Sequence, residues 1–86
     1  MGNQEFINLA KGLVVNYANE HVKEDGVLID ENQVYVVWLC KILQNNKALL
    51  STTLPDGMYY EVTYNGDKNE AYVGAYKKEH NQCVVF

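Results

Sequence analysis

Val34-Tyr35-Val36-Val37-Trp38-Leu39-Cys40-Lys41-Ile42-Leu43 is the only run in the chain that is apolar on both sides of a two-residue period, and its conformation decides the architecture. Branched and bulky side chains suit a pleated surface, so the run predicts a strand. The rival is a second helix: Asp30 with Gln33 has the spacing of a capping box, and Val34, Val37, Trp38 and Lys41 share one helical face. The density of Val, Tyr and Trp favours the strand.

Downstream, the chain alternates apolar runs with turn chemistry. Asn45-Asn46 tolerates positive φ and predicts a two-residue hairpin turn, with Lys47 to Leu54 as the second strand. Pro55-Asp56-Gly57 predicts a tight turn with glycine in the left-handed position, leading into Met58 to Tyr64. Asn65-Gly66 introduces the strand Glu70 to Lys77, and Cys83 to Phe86 is a candidate fifth. Gly74, inside a strand, predicts a bulge or close packing.

Upstream the period changes. Phe6, Leu9, Ala10, Leu13, Val14, Tyr17, Ala18 and Val22 recur at helical spacing and form one apolar stripe. Asn3 suits the cap and Glu5 the positive end of the dipole; His21 and Lys23 suit the negative end, and Gly26 the exit. A helix from about residue 4 to about 24 follows, with Asn19 on its wet face. Val27-Leu28-Ile29 predicts a short return that pins the connection to the core. Residues 1–86 therefore read as a single α+β domain: one long N-terminal helix packed on one face of an antiparallel four- to five-stranded meander sheet.

The turn lengths set a register, and the register assigns the faces. Leu43 falls opposite Ala48, Leu39 opposite Thr52, and Leu50 opposite Val62. Tyr35, Val37 and Leu39 then join Ala48, Leu50, Tyr60, Val62, Val73 and Ala75 beneath the helix. The other face collects Val34, Val36, Trp38, Cys40, Ile42, Leu49, Tyr59, Tyr72 and Tyr76, relieved by Lys47, Glu61, Thr63 and Glu70. With a single long helix in the chain, this second face has no evident cover, unless the C-terminal tail folds over it. An uncovered apolar patch rich in Trp and Tyr is the composition of an interaction surface. Val34, Val36, Trp38, Ile42, Leu49, Tyr59, Tyr72 and Tyr76 are its candidate residues, and a second copy or a host protein is the expected partner.

Composition narrows the alternatives. Seven basic residues, all lysine, against eleven acidic ones leave a net charge of −4. That disfavours nucleic acid, which is held by Lys and Arg displacing counterions, and the lack of arginine removes bidentate phosphate recognition. No apolar run approaches the roughly 18 to 20 residues that span a bilayer, and no basic-then-apolar leader opens the chain. A soluble cytoplasmic protein is expected. Cys40 and Cys83 have no CxxC partner and read as free thiols rather than a disulfide or metal pair.

No motif names a reaction. His21 and His80 lack a nucleophile at a useful spacing, Cys40 sits among bulky strand residues, and no glycine loop could cradle phosphate. Glu24, Asp25, Asp30 and Glu31 cluster without the regular offsets of a calcium loop. No metal or cofactor is expected, and an enzyme is the less favoured class; its best location would be a cleft around Glu61, Tyr72 and His80. Eleven carboxylates mixed with lysines are also sparse for an acidic mimic of nucleic acid that blocks a host enzyme.

The segments Val34-Tyr35-Val36-Val37-Trp38, Leu43-Gln44-Asn45-Asn46-Lys47-Ala48-Leu49, Ser51-Thr52-Thr53 and Asp56 to Asp67 resemble a family of small proteins encoded by phages and prophages of Gram-positive bacteria. That family carries no assigned catalytic residues. The resemblance implies a phage accessory protein working in the host cytoplasm, which agrees with the homodimeric interaction module expected from the second sheet face.

Overall fold

The computed structural model describes residues 2–21, 28–78 and 82–85. Its elements are a helix α1 (Asn3–His21), a single 3-10 turn (Glu31–Gln33), and four strands: β1 (Val34–Ile42), β2 (Asn45–Thr52), β3 (Met58–Asn65) and β4 (Glu70–Lys77). The strands form one antiparallel sheet in the order β1-β2-β3-β4, and α1 packs chiefly on β1 and β2, reaching β3. The predicted helix end at Val22 to Gly26, with its acidic pair Glu24 and Asp25, lies outside the described residues, as do Val27, His80 and Phe86.

The core follows the helical stripe. Phe6, Ala10, Val14 and Ala18, spaced by four, are buried against Ala48, Leu50, Tyr60 and Val62 of the sheet. Small Ala10, Ala18 and Ala48 allow the layers a close approach. The Tyr17 ring meets Tyr60 edge-on, with centroids 5.7 Å apart, the arrangement that aromatic quadrupoles prefer. Ile29 is buried, and Asn19 holds it rather than facing water as predicted: Asn19 Nδ2 donates to the Ile29 carbonyl at 3.2 Å and the Ile29 N–H donates to Asn19 Oδ1 at 2.9 Å.

The capping box and the strand both exist, in series. The Asp30 side chain caps the 3-10 turn, Gln33 Oε1 accepts from the Asp30 N–H at 3.1 Å, and the backbone then becomes extended at Val34. The box serves one turn because the β-branched run that follows it is strand-forming.

Four predicted details are corrected. The first hairpin turns at Leu43-Gln44, not Asn45-Asn46: Ile42 pairs with Asn45 and Leu39 with Ala48, a shift of four residues. Leu43 takes a left-handed φ of 55° while Asn45 and Asn46 enter β2. There Asn45 Oδ1 accepts from the Gly66 N–H at 3.3 Å, and a Cβ on Gly66 would overlap the Gln44 carbonyl, so the two loops interlock at this end. Contacts between loops have overridden local turn preference.

The second correction is a β-bulge at Val37. Val36 pairs with Leu50 but Trp38 pairs with Leu49, so Val37 has no opposite number. A bulge shifts side-chain alternation by one and exchanges faces on one side of it. Val34, predicted on the uncovered face, is only 2% exposed in the core; Val36 is half-buried and packs against that core; Tyr35, predicted beneath the helix, is exposed. Third, Gln82–Val85 forms no strand and is exposed, so the described sheet stops at four.

Fourth, the β2–β3 connection spans residues 53–57 rather than 55–57: β2 ends at Thr52 rather than Leu54, and Leu50 pairs with Tyr60 instead of Val62. Gly57 adopts φ of 68°, and Asp56 Oδ1 accepts from the Met58 N–H at 3.1 Å. The β3–β4 connection is a four-residue loop between Asn65 and Glu70, in which Asn65 Oδ1 accepts from Asp67 and Lys68.

Candidate functional site: the open sheet face

The pairing places the face away from α1 in four rows across the sheet: Tyr35, Ser51, Tyr59 and Tyr76; Trp38, Leu49, Glu61 and Gly74; Cys40, Lys47, Thr63 and Tyr72; Ile42, Asn45, Asn65 and Glu70. Each row exists because opposite residues of antiparallel strands share a face. Of the predicted surface residues, Trp38, Ile42, Leu49, Tyr59, Tyr72 and Tyr76 lie here. Val34 and Val36 do not. Tyr35 belongs in their place, and no alternation signal could have found it, because the bulge sits inside an unbroken apolar run.

The face is rich in large apolar side chains, and no described residue covers them. Trp38 is 42% exposed, Ile42 65%, Tyr72 59% and Tyr76 56%. Leu49 and Tyr59, on the inner strands, are half-buried by their neighbours. The Tyr76 ring lies over Gly74, where a Cβ would stand 3.0 Å from ring atoms; the predicted close packing is this one. Below Trp38 the surface dips into an open concavity of about 320 Å³ lined by Trp38, Cys40, Ile42, Asn45, Lys47 and Thr63. Cys40 is exposed at its side rather than packed, and both Cys40 and Cys83 are free thiols.

Two pairs of polar side chains on this face bind each other. Lys47 Nζ and Glu61 Oε1 form an ion pair at 3.3 Å near its centre. The Tyr72 hydroxyl donates to Glu70 Oε2 at 2.6 Å, and that bond to a carboxylate, followed by the carboxylate's charge, raises the Tyr72 pKa above the ordinary phenol value. The cleft anticipated around Glu61 and Tyr72 therefore consists of an internally paired carboxylate and an exposed phenol. Among the described residues no three His, Cys, Asp or Glu side chains gather to hold a metal, and no helix is long and apolar enough to cross a membrane.

Residues 7–86, nearly the whole chain, match the family of unknown function DUF6275. The chain belongs to that family. No curated protein and no solved structure matches it significantly. The family assignment covers α1 from Ile7 onward and the complete sheet, so the aromatic face lies wholly within the matched region. As a DUF6275 protein the chain carries an α+β fold in which, among the described residues, only one side of the sheet is covered.

Proposed function

We propose that this DUF6275 protein is a non-enzymatic protein-interaction module that self-associates through its open sheet face, as an accessory protein of the phage and prophage kind its sequence resembles, working in the bacterial cytoplasm. The observation that carries the reading is the four-row face itself: Tyr35, Trp38, Ile42, Tyr72 and Tyr76 exposed together on a sheet that α1 covers from the other side only. Trp and Tyr concentrate binding energy because they combine large apolar area with few rotatable bonds.

Size and charge favour a second copy as the occupant. Four strands at about 4.8 Å spacing and eight residues at about 3.3 Å give roughly 500 Å² of plane before side-chain relief, the order of one side of a standard interface. Lys47 and Glu61 neutralise each other at the middle of the face, and Glu70 lies at its rim. Two such faces meet without charge repulsion at their centre, and a twofold axis in the plane between them makes the contact isologous.

Sedimentation and tryptophan emission, followed together from low to high micromolar concentration, test this. The expected result is a mass that rises with concentration while the emission of the single tryptophan moves to shorter wavelength. Trp38→Ala is expected to weaken the association about tenfold or more, as loss of a central aromatic anchor does. Solvent-like Trp38 emission at every concentration would refute face pairing.

A further inference from the structure

We propose that β4 is a second, separate association site, at which the strand pairs antiparallel with β4 of another copy so that Tyr72 stands opposite Tyr76 and Glu70 opposite Lys78. The inference rests on the sheet's edge and stands apart from the reading of the open face.

The sheet has two edges, and they are built differently. β1 is interrupted by the Val37 bulge and ends in the left-handed Leu43, devices that twist an edge and spoil its ladder for a newcomer. β4 has neither. Its eight residues pair with β3 without a register shift, contain no proline, and carry no charge from Ala71 to Tyr76. On the α1 side its Ala71 and Val73 are exposed, Val73 by 36%. Among the described residues, β4 thus presents an unguarded outer ladder with apolar side chains on both sides. Natural sheets avoid leaving such an edge unpaired.

The identity of the occupant follows from the strand's own sequence. A twofold axis normal to the sheet keeps both open faces on the same side, so opposite residues must share a face, and the axis must pass through a residue. Centred on Gly74, the pairing sets Glu70 against Lys78, Tyr72 against Tyr76 and Val73 against Ala75, each in both directions. Centred on Val73, it sets Glu70 against Tyr76 and matches no charge. Only the Gly74 register joins opposite charges at both ends and aromatics on the open face. Gly74 also suits the axis, since without a Cβ it leaves room beside the Tyr76 ring that already covers it.

The result is an eight-stranded sheet with a continuous aromatic face. This axis is normal to the sheet and that of face pairing lies parallel to it, so the two contacts use different surfaces; only where the two axes intersect do they close into a tetramer of D2 symmetry.

Amide hydrogen exchange of β4, read residue by residue against protein concentration, tests the proposal alongside sedimentation. Outward-facing β4 amides are expected to gain protection as concentration rises. Glu70→Lys and Lys78→Glu are each expected to weaken this association about tenfold, since symmetry creates two like-charge contacts per pair of copies, and the double variant E70K/K78E to restore it. Trp38→Ala is expected to leave the β4 protection in place, which separates this site from the face. Concentration-independent exchange along β4, or a double variant no tighter than either single one, overturns the proposal.

Discussion

Asn19 and Ile29 are bound to each other by both ends of one amide, the side chain of Asn19 donating to the Ile29 carbonyl and accepting from its N–H. This pair fastens the segment after α1 to the helix and holds the buried Ile29 side chain in the core. Asn19→Ala leaves two half-buried main-chain groups without partners, an expected loss of about 1–3 kcal/mol. Urea unfolding measures it, and Asn19→Asp, which keeps the acceptor but not the donor, is expected to fall between Ala and wild type.

The Val37 bulge divides β1 into halves of opposite alternation, so neighbouring valines should respond very differently to truncation. Val34→Ala removes a core side chain and is expected to cost about 2 kcal/mol, whereas Val37→Ala, at an exposed bulge, should stay within about 0.5 kcal/mol. Equal losses from the two variants would mean that β1 runs without its bulge.

The same bulge marks the limit of what the sequence disclosed. Helix α1 was legible because Phe6, Ala10, Val14 and Ala18 repeat at a spacing only a helix turns to one side. The inner strands were legible too: Ala48, Leu50, Tyr60 and Val62 fall inward even though their predicted partners were displaced, since a displacement by two or four residues preserves alternation. Val34, Val36 and Tyr35 were assigned the wrong way round because a one-residue insertion reverses it, and a run apolar on both sides carries no mark of where that happens. Leu43 was missed for another reason. Its left-handed backbone belongs to the two-residue hairpin turn at Leu43-Gln44, whose Gln44 carbonyl lies against Gly66, a contact between loops more than twenty residues apart.

Leu43 is accordingly a site where substitution should stabilise. A γ-branched residue at a φ of 55° sits in a region that asparagine tolerates better, and at 87% exposure the side chain has little packing to lose. Leu43→Asn is expected to raise stability by about 0.5–1 kcal/mol in thermal or urea unfolding. A decrease would show that the leucine makes an apolar contact, such as one with another copy, that outweighs its backbone strain; repeating the measurement at several protein concentrations separates the two.

Tyr60 gives the fold a defined alkaline response. Its ring is fully buried beneath α1 and its hydroxyl has no hydrogen-bond partner among the described residues. Burial first, then the charges of Asp56 and Tyr17, raises its pKa above the free-phenol value of 10.0. The folded state therefore keeps this proton to a higher pH than the unfolded chain does. Stability from Tyr60 is complete below pH 10.0 and declines as pH rises from there towards the folded pKa, because only the unfolded chain gains by ionising. Tyr60→Phe removes both the proton and the unpartnered hydroxyl while keeping the edge-on contact with Tyr17. It is expected to be neutral or to stabilise by about 1 kcal/mol at pH 7, the release of a buried unsatisfied group. It should also flatten the fall in unfolding free energy above pH 10.0 relative to wild type. Urea titrations of both proteins at a series of pH values measure this, and an alkaline limb unchanged by the substitution would assign the loss to the other tyrosines.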